Sequence, residues 1–290
     1  MDGILIINKE KGYSSHDVVY KVRKILNEKK VGHAGTLDPN ATGVLVLLIG
    51  KGTRLSKYLI EHDKTYIATI KLGEKRTTKD EEGEILNKKN INKYTLQKEN
   101  VEKVLQSFVG EQMQIPPIYS AIKVNGKKLY EYALNNESVE IKPRKIIIYD
   151  IELLNIADEE IKFKVKCSKG TYIRTLCEDI AEKLDNLGYM KELERTKLDR
   201  FDIEKSFKLE ELEKNKNDCK FIEEHLIKIE DVFKQNKSII LDEQNLNRFL
   251  NGVKLNIKKE DGIYKIYSEK NKFIGIGILN NNFLKRDLII

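Results

Sequence analysis

One carboxylate stands apart by its setting. In Val31-Gly32-His33-Ala34-Gly35-Thr36-Leu37-Asp38-Pro39-Asn40-Ala41-Thr42-Gly43-Val44-Leu45, Asp38 lies in a turn rich in Gly and Thr, directly ahead of an apolar run. Pro39 fixes its own φ and biases Asp38 toward an extended conformation, while Gly32, Gly35 and Gly43 permit tight turns and close approach of another molecule to the backbone. Val44 to Ile49 reads as a buried strand or the start of a helix that anchors the loop. A lone Asp held there looks displayed for chemistry. Local spacing fits equally a plain Asp-Pro turn ahead of a core strand, and does not decide between the two.

The elements around this loop must hold it. Residues 3–8 read as a strand, and Ser14-Ser15 offers an N-cap for a helix with Val18, Val19, Val22, Ile25 and Leu26 on one face. Lys64 to Gly73 alternates and is rich in β-branched residues, which argues a strand with Tyr66 near its start. A charged loop over 74–93 leads to a helix over 99–109 that Gly110 ends. Ile146–Leu154 and Ile161–Cys167 read as two strands joined by a polar turn at 158–160. A helix then opens near Ser168-Lys169-Gly170-Thr171-Tyr172-Ile173-Arg174, with Ile173, Leu176, Cys177, Ile180 and Leu184 as its apolar stripe. Arg174 falls in its first turn, where a cation opposes the helix dipole, so a partner elsewhere is expected.

Strands and helices alternate, with some strands consecutive, which favours an α+β class: a mixed, largely antiparallel sheet flanked by helices. Residues 205–235 are rich in Lys, Glu and Asn with helical spacing and lead to short β-type runs at 239–241, 263–267 and 273–279. A large domain over 1–235 followed by a small β-rich unit over 236–290 is expected, in keeping with a chain of 290 residues.

A net charge of +7 suits an anionic partner, although much of it is Lys in a chain also crowded with Ile and Asn. Arginine is scarce, at nine positions, so each one is worth placing. Cys167, Cys177 and Cys219 form no CxxC pair, and His16, His33, His62 and His225 supply no ligand spacing with them, so reduced thiols and no metal are expected. There is no basic leader and no apolar stretch of membrane-spanning length, so a soluble cytoplasmic protein is expected.

The string around Asp38 closely resembles the signature Gly-His-x-Gly-x-Leu-Asp-Pro-x-Ala-Thr-Gly of the bacterial tRNA pseudouridine-55 synthases, the TruB family. Four further blocks extend the resemblance in the family's order: Gly3 to Lys9 with Gly12 to Asp17, Lys64 with Tyr66, Cys167 to Leu176, and Gly188 to Thr196. The C-terminal run Phe273-Ile274-Gly275-Ile276-Gly277-Ile278 weakly resembles a PUA-like RNA-binding domain.

This resemblance implies the pseudouridine synthase fold and a catalytic set of Asp38 as nucleophile, Arg174 as its ion-pair partner and Tyr66 as the ring stacked on the target uracil. Tyr172 and Leu193 are implied as further walls of the site, His33 as the side chain that fills the space the uracil vacates, and Lys9 and Lys64 as RNA contacts. Residues 112–145 resemble the thumb that closes on the tRNA T arm, where Tyr119, Lys123 and Arg144 mix aromatic and basic character suited to stacking and phosphate contact. The implied activity is isomerisation of a flipped-out uridine in the T stem-loop of tRNA by a monomer needing no cofactor or metal.

Two departures bear on RNA contact. The family's Thr-x-Thr-x-Asp reads Arg76-Thr77-Thr78-Lys79-Asp80, and its Leu-Arg-Arg-Thr reads Leu193-Glu194-Arg195-Thr196. A non-catalytic RNA-binding or tRNA-folding protein is the rival reading, but a pure binder needs no carboxylate facing phosphates. A glycosidase would want a second facing carboxylate and a phosphotransferase an acidic metal cluster, and no motif designates either.

Overall fold

Val44 to Ile49 contains no polar side chain, and a strand can bury every one of them only if both its faces are covered. In the computed structural model, which describes all residues except Ile60, Glu61 and Asn136, this run is the strand Thr42–Ile49. Val44, Val46 and Leu48 enter one core cluster with Ile4 and Ile6, while Leu45, Leu47 and Ile49 enter a second with Leu5 and Ile7. The period of two thus carries one strand into two cores.

The main sheet runs in the order Gly3–Lys9, Thr42–Ile49, Gly188–Leu198, Lys64–Leu72, Glu160–Cys167, Arg144–Ala157, Gly110–Gln114. It is mixed and largely antiparallel, as the order of elements predicts. Among its described strands the single parallel pairing joins Gly188–Leu198 to Thr42–Ile49, through Glu194↔Thr42 and Arg195↔Gly43.

That pairing creates the setting for the Asp38 loop. Gly3–Lys9 edges Thr42–Ile49 along its whole length on one side. On the other side, Val31–His33 takes the far end, from Val31↔Ile49 to His33↔Leu47, and Gly188–Leu198 takes only the near end. Residues 34–41 leave the sheet between these two neighbours. The strand edge stays satisfied across the gap because Ala34 N–H donates to the Val46 carbonyl at 2.9 Å and Arg195 Nε donates to the Val44 carbonyl at 2.8 Å.

Three helices cover one face. Ser15–Ile25 is capped by Ser14 in a capping box with Asp17 and buries Val18, Val19 and Val22. Lys98–Gln106 buries Val101, Val104 and Leu105, and Ile173–Lys183 buries Leu176, Cys177 and Ile180. The helix expected over 99–109 is shorter at its end. The N–H groups of Phe108 and Val109 turn back to the carbonyls of Leu105 and Gln106, and Gly110, at φ +111°, opens the strand Gly110–Gln114 instead. The charged loop over 74–93 also holds structure: Glu74–Arg76 pairs with Ile85–Lys88, enclosing a tight turn over 77–83.

Residues 205–235 contain the short helices Leu209–Lys214, Cys219–His225 and Ile229–Val232. A second, five-stranded sheet follows in the order Ser238–Leu241, Gly262–Ser268, Phe273–Asn280, Phe283–Ile289, Leu255–Asn256. It has its own core around Phe249, Tyr264 and Ile266, while Ile276 and Leu288 join the cluster of Ile4 and Val46. The Asp287 carboxylate accepts from Tyr58 and pairs with Lys57 across the same seam. No described helix is long and apolar enough to cross a membrane.

Gly43 sits at the parallel junction with φ +98°, where a Cβ would lie 2.3 Å from the Arg195 carbonyl oxygen. Gly43→Ala is therefore expected to cost about 3 kcal/mol or more. Urea denaturation of the two proteins checks this, and a midpoint equal to that of the wild type would show that the junction gives way freely.

Candidate active site

The Asp38 loop has no regular hydrogen-bonding ladder, so its carbonyls need donors from elsewhere. Ala41 N–H donates to the Asp38 carbonyl at 3.1 Å, closing a turn with Pro39 at its second position. Leu37 N–H donates to Ser15 Oγ at 2.8 Å, which ties the loop to the start of the helix Ser15–Ile25. Two buried cations complete the tethering. Lys9 Nζ donates to the carbonyls of Glu10, Tyr13 and Pro39 at 3.0, 2.7 and 3.0 Å. Arg195, 1 % exposed, donates to the carbonyls of Val44, Gly35 and Thr36 at 2.8, 3.1 and 3.4 Å.

Held in this way, Asp38 meets Arg174, the second residue of the helix Ile173–Lys183. Arg174 Nε lies 3.3 Å from Asp38 Oδ2, and Nη2 donates to Oδ1 at 3.5 Å, a two-point fork. The same guanidinium pairs with Asp80 through Nη1 at 3.3 Å, and donates to the Thr78 carbonyl at 3.5 Å and the Tyr119 carbonyl at 3.0 Å. These partners answer the cost of a cation in a first helical turn. The Arg174 side chain is 10 % exposed and that of Asp38 38 %, so the carboxylate faces solvent while its partner stays covered.

Asp38 and Arg174 line a cavity of about 460 Å3 together with Lys64, Tyr66, Tyr119, Ser120, Tyr130, Thr171, Tyr172, Leu193 and Arg195. Four tyrosines and four charged side chains are among the residues that line it. Tyr66 is buried, and burial pushes its hydroxyl up, with the positive charge of Arg195 acting in the other direction. Gln114 brackets Tyr172, accepting from its N–H at 2.8 Å and donating to its carbonyl at 3.1 Å, which fixes its backbone at the helix start. Lys64 donates to the His62 carbonyl, and burial lowers its pKa.

Four of the expected residues lie away from the cavity lining. Lys123, on the hairpin strand Lys123–Val124, and Arg144, at the start of Arg144–Ala157, are exposed. His33 meets His16 edge-on at 5.4 Å between ring centres; burial lowers its pKa, and its Nδ1 is buried without a partner. Lys9 is corrected from an RNA contact to a loop tether, since it is 1 % exposed and all three ammonium hydrogens point to backbone carbonyls. Asp80 and Arg195 are the site residues that sequence reasoning passed over. The signals were present, in the Asp that ends the departing Thr-x-Thr-x-Asp pattern and in the scarcity of Arg.

Burial lowers Lys9 to about 8, with Asp38 pulling the other way. The unfolded chain keeps that proton to near 10.5 and so binds more protons between the two values; this residue's contribution to stability therefore rises with pH from about 8 to 10.5. Denaturant melts at pH 7.5 and 9.5 are expected to show the wild type gaining on Lys9→Met at the higher pH by about 2 kcal/mol at most.

Residues 23–173 match the TruB family pseudouridylate synthase N-terminal domain, residues 174–252 the tRNA pseudouridylate synthase B C-terminal domain, and residues 238–285 the Pseudouridine synthase II TruB C-terminal domain. The chain is 42 % identical over 289 residues to the tRNA pseudouridine synthase B of Clostridium kluyveri, covering 98 % of this chain and 97 % of that one. It is 46 % identical over 259 residues to the tRNA pseudouridine synthase B of Staphylococcus saprophyticus, covering 87 % and 85 %. The fold is shared with an H/ACA RNP bound to a substrate RNA containing 2'-deoxyuridine, at a TM-score of 0.72 and 22 % identity over 99 % of this chain and 84 % of that one. With this sequence and this arrangement around Asp38, the chain belongs to the TruB family of pseudouridine synthases.

Proposed function

We propose that this protein isomerises uridine to pseudouridine in the T loop of tRNA, with Asp38 as the nucleophile. The observation that carries the reading is the Arg174 fork, which presents a partly exposed Asp38 carboxylate at a cavity that four tyrosines help to line. In the reaction the bond between N1 and C1′ breaks, C1′ is rejoined to C5, and the C5 hydrogen leaves as a proton while N1 gains one. Atoms and charge balance with no redox step.

The residues divide this work. Extrusion of the uridine from its loop costs a few kcal/mol, and stacking offsets part of that cost. Tyr66 supplies the stacking face, Tyr172 and Leu193 close the walls, and His33 takes the space left in the RNA. Arg174 holds the Asp38 carboxylate in place through its two-point contact. The excursion over 112–145 acts as a thumb: Tyr119 touches Arg174 through its carbonyl, and the exposed Lys123 and Arg144 meet phosphates. We take the catalytic domain as 1–235, the PUA-like RNA-binding unit as 236–290, and the working form as a cytoplasmic monomer.

The test is conversion of an unmodified tRNA transcript, with pseudouridine mapped by carbodiimide-dependent primer-extension stops. The wild type is expected to give a stop at the T-loop uridine. Asp38→Asn is expected to slow conversion by at least about a thousandfold while gel-shift affinity for the transcript stays within a fewfold. Tight binding by the wild type with no stop would transfer the assignment to a non-catalytic RNA-binding protein.

A further inference from the structure

We propose that Glu178 is a positioning residue for this reaction, holding the turn that supplies Arg174 with its second carboxylate. The proposal rests on the function proposed above. Glu178 lies on the helix Ile173–Lys183, four residues after Arg174, so both side chains leave the same face about 6 Å apart along the axis. Both reach the turn over 77–83. Arg174 takes the Thr78 carbonyl and the Asp80 carboxylate, and Glu178 takes Lys79, the residue between them, through Oε2. Glu178 Oε1 pairs with Lys75 at 3.1 Å, at the entry to the same turn.

Glu178 is 6 % exposed. A carboxylate at such a depth contributes little net stability over an apolar residue of similar volume. What an apolar residue cannot do is fix the turn. Lys79 adopts φ +63°, a costly conformation for a long side chain, and its carbonyl accepts from Met190 N–H at 3.0 Å. The remaining side-chain tethers of this turn to the Asp38 region, Asn40 to Glu82 at 2.8 Å and Lys11 to Glu81 at 3.2 Å, are exposed and therefore weak. Release of the buried tether lets Thr78 and Asp80 move together. Both accept from Arg174 Nη1, so the guanidinium then swings off Asp38. A misplacement of about 1 Å costs on the order of a hundredfold in rate.

The experiment measures single-turnover pseudouridine formation at saturating tRNA, with tRNA affinity and thermal melting measured on the same proteins. Glu178→Gln keeps the shape and removes the charge. It is expected to lower the rate about tenfold or more, leave tRNA affinity within twofold, and still melt cooperatively. Because Asp80→Asn acts through the same guanidinium, the double variant is expected to be no slower than the slower single variant. Lys79→Met attacks the tether from its other end and gives the same readings if Glu178→Gln fails to fold. Glu178→Gln or Lys79→Met at the wild-type rate, or losses that multiply in the double variant, would overturn the positioning role. Absence of conversion by the wild type would instead overturn the proposed function, and this inference with it.

Discussion

The Arg174 guanidinium is the contact on which the site depends. It opposes its own helix dipole and is nearly buried, so strong partners must hold it. Those partners come from three separate segments: Asp38 from its loop, Thr78 and Asp80 from the turn over 77–83, and Tyr119 from the excursion over 112–145. None can be missing without leaving the cation short of a partner, which makes loop, turn and excursion one cooperative unit. Sharing a single cation between two carboxylates also leaves the pair of Asp residues negative overall, beside the cationic Lys9, Lys64 and Arg195.

Beneath this contact is a second constraint, set by the sheet. The strand Thr42–Ile49 has partners on its second edge only at its two ends, and the Asp38 loop occupies the gap. A loop inside a core would strand its carbonyls, and two buried cations solve that problem with side chains. Arg195 offers a rigid fork that spans Val44, Gly35 and Thr36, while Lys9 gathers three carbonyls around one point charge. These polar groups add to the apolar packing of Ala34, Leu37 and Ala41, which enter the two cores. Gly43 lets the two strands approach closely enough for Arg195 to reach its carbonyls.

Much of this could be read from the sequence wherever a local rule was at work. The Ser14 cap and the alternation in Lys64 to Gly73 each carry their own capping signal or period and form the element they predict, while the apolar run Val44 to Ile49, open between a strand and a helix start, forms the strand. Asp38 and Arg174 were legible through the family pattern, and the expectation that Arg174 needs a partner followed from the helix dipole alone. The features that no local rule encodes are non-local. Lys9 looks like any strand-end lysine until the turn after Asp38 folds over it, and Arg195 stands in a strand whose alternation does not distinguish a guanidinium that faces a gap in the sheet. The stretch 74–93 reads as a solvated charged loop because Lys and Glu dominate it. Its organisation comes from a local hairpin together with pairing to Arg174 and Glu178, far away in the chain. The end of the helix after Gln106 is hidden for a smaller reason, since the tightened turn through Val109 leaves no mark in the apolar spacing.

The most direct test of the central claim is the rate of pseudouridine formation by Arg174→Lys in a single turnover at saturating tRNA. Lysine keeps the positive charge but cannot make the fork, nor reach Asp38, Asp80 and Tyr119 together. A fall of about a hundredfold or more, with tRNA affinity within a fewfold of the wild type, is the predicted result. A lysine variant that converts tRNA at nearly the wild-type rate would contradict the account, because charge alone would then suffice and the shared guanidinium would not organise the site.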